Sequence, residues 1–117
     1  MQIDSILKLR NHRKVFIVKE KNSDSSFYYY LNKSTKELVA VKLLIKNKHT
    51  LITYYFIQNK LAKVVFIPQR TDNERTGGVY YFSQQHLLYK EEYNIKTQST
   101  IKFLKDADIF KSNVKLQ

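Results

Sequence analysis

The side chains best suited to chemistry are few, and their spacing decides what they can do. His12, His49 and His86 stand 37 residues apart, a regularity that invites a metal reading. Zinc and iron sites usually include one local pair of ligands a few residues apart, because a single turn of chain then delivers two donors together. None of these histidines has such a neighbour: His12 lies between Asn11 and Arg13, and His49 and His86 fall at breaks between apolar runs. They read as turn histidines on a basic surface, and no metal is expected. The acidic pairs are Asp72/Glu74, Glu91/Glu92 and Asp106/Asp108. Adjacent residues on a strand point to opposite faces, so Glu91 and Glu92 cannot act as a catalytic dyad. Gly77-Gly78 lacks the Lys-Ser/Thr and the following helix of a phosphate loop, and reads as the turn into "VYYF". No nucleophile stands at a recognisable spacing from a base. The expectation is a non-enzymatic chain with no cofactor.

Two features remain as binding candidates. The polar loop over 68–78, with "QRTDNERTGG" at its heart, is the longest irregular segment. Long loops carry function disproportionately, so Arg70, Asp72, Glu74 and Arg75 are candidate ligand-binding residues, with salt bridges within the loop as the simpler account. The second feature is tyrosine interleaved with lysine, the composition of a single-strand nucleic-acid platform in which bases stack on rings beside a cationic groove. Tyr28, Tyr30, Tyr54 and Tyr80 supply such rings, and Tyr54 and Tyr80 join the candidate ligand-binding set. The aromatic RNP1 signature of the RRM is absent.

Bulk properties narrow the class. A chain of 117 residues with 43% apolar content, nine Tyr and seven Phe is one domain, 1–117, able to bury a core. There is no Cys, which removes disulfides and thiol chemistry and leaves the redox compartment open. No apolar run approaches the roughly 18 residues of a membrane span; the run Leu43-Leu44-Ile45 is flanked by Lys42 and Lys46. The net charge is +11, with residues 1–60 holding twelve Lys/Arg against four Asp/Glu. Such a chain favours anionic partners: a protein with an acidic face, or nucleic acid as the alternative. Seventeen of the cations are Lys and four are Arg. Base-reading forks prefer Arg, whereas Lys suits a solvated face or a guarded sheet edge.

The elements that must position these groups are mostly strands. After a short amphipathic helix or turn in "IDSILKLR" (3–10), segments such as "VFIVKEK", "ELVAVKLLIK", "TLITYYFI" and "KLAKVVFIP" are β-branched and aromatic, and polar breaks separate them. Asn47-Lys48 and Gln58-Asn59 are short enough for two-residue hairpins. In 38–45, alternation places Val39, Val41, Leu43 and Ile45 on one face and Leu38, Ala40, Lys42 and Leu44 on the other. In 61–67, Ala62, Val64 and Phe66 oppose Leu61, Lys63, Val65 and Ile67. Each strand thus has one apolar face and one face carrying a lysine, the pattern of a sheet covered on one side. Near residue 98 the period changes to 3.6: Phe103, Ala107, Phe110 and Val114 mark one helical face, with Ser99 or Thr100 as N-cap.

A repeat organises the strands. "YYLNKSTKELVAV" (29–41), "YYFIQNKLAKV" (54–64) and "YYFSQQHLLYK" (80–90) each give two tyrosines, a polar break and a leucine-led return, with tyrosine pairs starting 25 and 26 residues apart. One hairpin cannot bury its apolar face alone, and several side by side can. The expected fold is α+β: a twisted antiparallel β-meander of about six or seven strands, a short N-terminal helix, and a C-terminal amphipathic helix packed on one face. The third unit, with Lys90, Glu91 and Glu92 after its turn, suits an edge.

These repeated tyrosine hairpins, the polar loop and the closing helix, over roughly residues 27–115, resemble a loose group of small uncharacterised bacterial exported proteins. The resemblance implies a binding or structural role in the periplasm or outside the cell, with no catalytic residues to transfer. Members usually carry a removed leader, whereas "MQIDSILKLRNHRK" lacks the apolar h-region of one. Met1 reads either as the native start or as the replacement of a leader, with a cytoplasmic location as the alternative. The functional expectation is a domain that binds a protein or other ligand through a sheet face or the 68–78 loop.

Overall fold

The computed structural model describes residues 12–19, 25–32, 35–46, 49–68 and 76–115. Seven antiparallel strands follow one another in space in chain order. They are β1 (His12–Lys19), β2 (Ser25–Asn32), β3 (Leu38–Ile45), β4 (Thr50–Ile57), β5 (Lys60–Ile67), β6 (Gly77–Ser83) and β7 (His86–Tyr93), and one helix, α1 (Thr100–Lys115), closes the chain. The meander and its C-terminal helix are as expected. The N-terminal helix expected at 3–10 and the Asn47-Lys48 turn lie outside the described residues.

The three tyrosine repeats are the hairpins β2-β3, β4-β5 and β6-β7. Gln58 and Asn59 have φ of 52° and 63°, and Gln84 and Gln85 have φ of 50° and 66°. Two consecutive residues with positive φ make the turn whose twist matches the flanking strands, so both hairpins close in two residues. Every repeat carries the same irregularity. Tyr30 pairs with Ala40 and Leu31 with Leu38; Tyr55 pairs with Lys63 and Phe56 with Leu61; Tyr81 pairs with Tyr89 and Phe82 with Leu87. Val39, Ala62 and Leu88 are therefore extra residues, each forming a β-bulge that bends and twists its return strand.

The bulges correct the faces read from simple alternation. Strict period two sets Leu38 against Val41 and Leu61 against Val64. One extra residue resets the count, so Leu38 and Leu61 join Val41 and Val64 in the core cluster. Beyond the bulge the expectation holds: Lys42 and Lys63 point away from that core.

The core is a row that crosses the sheet. Tyr29 pairs with Val41, Val41 with Tyr54, Tyr54 with Val64 and Val64 with Tyr80, and all five are buried. Large and small side chains alternate along the row, leaving two gaps between three rings. Helix α1 fills the gaps. Phe103 sits between Tyr80 and Tyr54, with ring centroids 5.0 and 6.1 Å away. Phe110 sits between Tyr54 and Tyr29, at 4.9 and 6.0 Å. The fit follows from geometry: seven helical residues rise about 10.5 Å, and two strand spacings cover about 9.6 Å. Ala107, between the two phenylalanines in sequence, is buried in the same core cluster. Ser99 caps the helix, its Oγ accepting from the Lys102 amide at 3.2 Å.

Candidate functional site

Each tyrosine pair is split by the pleat. The first member (Tyr29, Tyr54, Tyr80) enters the core, and the second (Tyr30, Tyr55, Tyr81) stands on the face opposite α1. This corrects the candidate set. Tyr54 and Tyr80 are 1% and 0% exposed, so neither ring is offered to a stacking ligand. The register explains the exchange. A plain two-residue hairpin at 58–59 would place Tyr54 beside Lys63; the bulge at Ala62 moves Lys63 along by one, beside Tyr55. Arg70, Asp72, Glu74 and Arg75 lie outside the described residues.

The core hydroxyls all have partners. Tyr29 Oη accepts from Asn113 Nδ2 at 3.0 Å, Tyr54 Oη donates to Asp106 Oδ2 at 3.2 Å, and Tyr80 Oη donates to Glu92 Oε2 at 2.5 Å. Burial is the main cause that lifts all three phenols above their usual range, and the adjoining carboxylates of Asp106 and Glu92 push Tyr54 and Tyr80 further. Glu92 is held down, to about 2, first by the Tyr80 hydroxyl and then by the Gln98 amide and Lys90, against the opposing effect of burial. It also accepts from Thr97 Oγ1, so one carboxylate ties the segment before α1 to the sheet. Glu91, on the other face of β7, accepts from the hydroxyls of Tyr89 and Tyr93. The two glutamates therefore serve opposite faces, as period two requires.

The face opposite α1 carries a second row. Tyr30, Ala40, Tyr55, Lys63, Tyr81 and Tyr89 are successive cross-strand partners from β2 to β7. Tyr30, Tyr55 and Tyr81 are partly exposed and Tyr89 is exposed. Ammonium groups lie over these rings: Lys42 Nζ is 5.5 Å from the Tyr30 centroid, and Lys63 Nζ is 5.8 Å from Tyr55 and 5.3 Å from Tyr81. Such contacts contribute about 0.5–1 kcal/mol at exposed sites, because the ring face is electronegative. Positive charge and aromatic surface are thus offered together. Sequence reasoning missed Tyr55, Tyr81 and Tyr89. The signal that pointed to them was the lysine in each of β3 and β5, which marks the face turned away from α1.

Two clefts lie elsewhere. One of about 480 Å³ sits at the turn end, among Lys36, Glu37, Asn59, Asp108, Lys111 and Ser112. A smaller one of about 250 Å³ runs beside α1 over Phe27, Leu43 and Phe110, with Asp106 and Asn113 at its rim. In the first, Lys111 pairs with Asp108 at 3.2 Å; in the second, Asp106 already accepts from Lys102 and Tyr54. Among the described residues no three His, Cys, Asp or Glu side chains converge as a metal site requires, and no described helix is long and apolar enough to cross a membrane. His49 lies in the β3–β4 turn and His86 is exposed at the start of β7. Comparison with protein families, with curated proteins and with solved structures found no match to this chain.

Proposed function

We propose that this chain is a non-enzymatic binding domain that takes an anionic partner on the sheet face opposite α1. The observation that carries the reading is the placement of Lys42 and Lys63 over the rings of Tyr30, Tyr55 and Tyr81. The net charge of +11 draws anions from a distance, and the ring–lysine row gives them a surface on which to settle. Binding fits this chain better than catalysis because most of its described carboxylates have structural partners, Glu91 among them with the hydroxyls of Tyr89 and Tyr93. Glu92 and Asp106 anchor core tyrosines, and Asp108 pairs with Lys111.

Immobilised heparin, a sulfated polyanion, tests the reading by the salt at which the protein elutes. The double variant Lys42→Gln/Lys63→Gln is expected to elute at clearly lower salt than the charge-matched control Lys96→Gln/Lys105→Gln, with both variants folded by circular dichroism. Equal elution of the two variants would show that charge acts without a site, and the reading would fall.

A further inference from the structure

We infer that the anion taken on this face is a single-stranded nucleic acid, whose bases stack on Tyr30, Tyr55 and Tyr81 while Lys42 and Lys63 meet its phosphates. The inference rests on the reading of the sheet face as an anion-binding surface and names the occupant. Three observations carry it. First, the charge is complementary: Lys42 and Lys63 stand on this face against Glu91, whose carboxylate takes the Tyr89 and Tyr93 hydroxyls, and the overall +11 meets a polymer with one negative charge per nucleotide. Second, the rings repeat. Tyr30, Tyr55 and Tyr81 stand on alternate strands, about 9.6 Å apart, and Tyr89 prolongs the row with its centroid 6.1 Å from Tyr81. From β2 to β7 the row covers five strand spacings, about 24 Å, which suits the short end of single-strand sites, about 4 nucleotides upward. Third, each ammonium lies over a ring, at 5.3–5.8 Å. A base that takes the ring face releases the ammonium, and the phosphate attached to that base receives it. An acidic protein face would satisfy the lysines but leave the ring faces without a flat partner, so a polymer carrying both groups fits better. A duplex hides its base faces and is disfavoured for the same reason.

Fluorescence anisotropy with an oligothymidylate and an oligouridylate of about 12 nucleotides tests the inference. The same strands in duplex form, and a polyglutamate, serve as competitors. Single strands are expected to bind more tightly than either competitor. Tyr55→Leu and Tyr81→Leu, which keep an apolar side chain in the sheet, are each expected to weaken single-strand binding about fivefold or more, a larger loss than either causes in heparin retention. Lys63→Gln is expected to reduce the slope of log affinity against log salt by about 0.7, one phosphate contact. If the leucine variants prove unstable, quenching of tyrosine fluorescence by single strands but not by polyglutamate reads the same stacking in the unaltered chain. Duplex or polyglutamate binding as tight as the single strand, with the ring variants or the quenching showing no difference, would overturn the nucleic-acid inference and leave the anionic face standing. Loss of heparin and oligonucleotide binding together would sink both.

Discussion

Tyr80, Gly78 and Glu92 form one construction, and each depends on the others. Gly78 pairs with Glu92 across β6 and β7, and both share a face with Tyr80. A Cβ built at Gly78 would come within 2.7 Å of the Tyr80 hydroxyl and 2.9 Å of its ring. The missing side chain is therefore the space over which Tyr80 leans back to reach the carboxylate. Gly78 thus serves ring packing, while Gly77, at φ 140°, lets the backbone approach the Phe66 carbonyl; both lie within β6 and not in the turn expected. Glu92 titrates at about 2 in the fold against an ordinary 4.5. A depressed folded-state value means stability that is present above about pH 4.5 and is lost as pH falls toward 2. Melting temperatures across that window are expected to fall in the parent chain. Glu92→Gln is expected to lose that dependence and about 1.5 kcal/mol at neutral pH, the lower end for a hydrogen bond to a charged group. A melting profile for Glu92→Gln that still falls like the parent's would refute this role.

At the scale of elements, the hairpins determine what the sequence reveals and what it hides. The strands, the edge position of the third unit and the period change at α1 were legible, because β-branched and aromatic runs, charge and the 3.6 period report them directly. The faces were legible only in part. Nothing in "KLAKV" or "HLLYK" distinguishes a bulged return from a straight one, and a slip of one residue exchanges the two faces. In the second and third pairs the buried ring, Tyr54 or Tyr80, was therefore taken for the exposed one, whereas Tyr30 of the first pair was placed correctly. The bond from Tyr80 to Glu92 escaped notice for a related reason, since the room for that ring is made by a glycine two residues away along β6. The turns also carry a liability. Gln84 and Gln85 both hold positive φ without the local hydrogen bonding of Asn or the freedom of Gly. Gln84→Asn/Gln85→Gly is expected to raise unfolding free energy by about 1 kcal/mol, read as a higher denaturant midpoint at unchanged slope. A lower midpoint would mean that the glutamines make contacts worth more than the turn strain.

For the whole molecule, α1 separates two surfaces with different duties. On its side lie the rings that hold the fold; on the other lie the rings and lysines proposed to meet a partner. Phe103 and Phe110 are the points of attachment, each nearly fully buried. Phe103→Ala or Phe110→Ala is expected to cost about 3–5 kcal/mol, measurable by chemical denaturation. The double variant removes most of the ~5–15 kcal/mol that a domain of this size holds, and it is expected to lack a cooperative melt. If the double variant melts like the parent, the helix is an ornament and the core argument fails. Because Tyr30, Tyr55 and Tyr81 lie on the far side, single substitutions there are expected to change the proposed binding without matching losses of stability.

The match between helix and sheet sets a rule for size. Every added hairpin would demand another ring in the core row and another seven residues of roof. The two rulers differ by about 0.9 Å per graduation, from about 10.5 Å against about 9.6 Å. Three hairpins and two wedges keep the accumulated error below the width of a ring. A longer array would drift out of step, so a chain built this way can lengthen only by bending its roof or starting a second one.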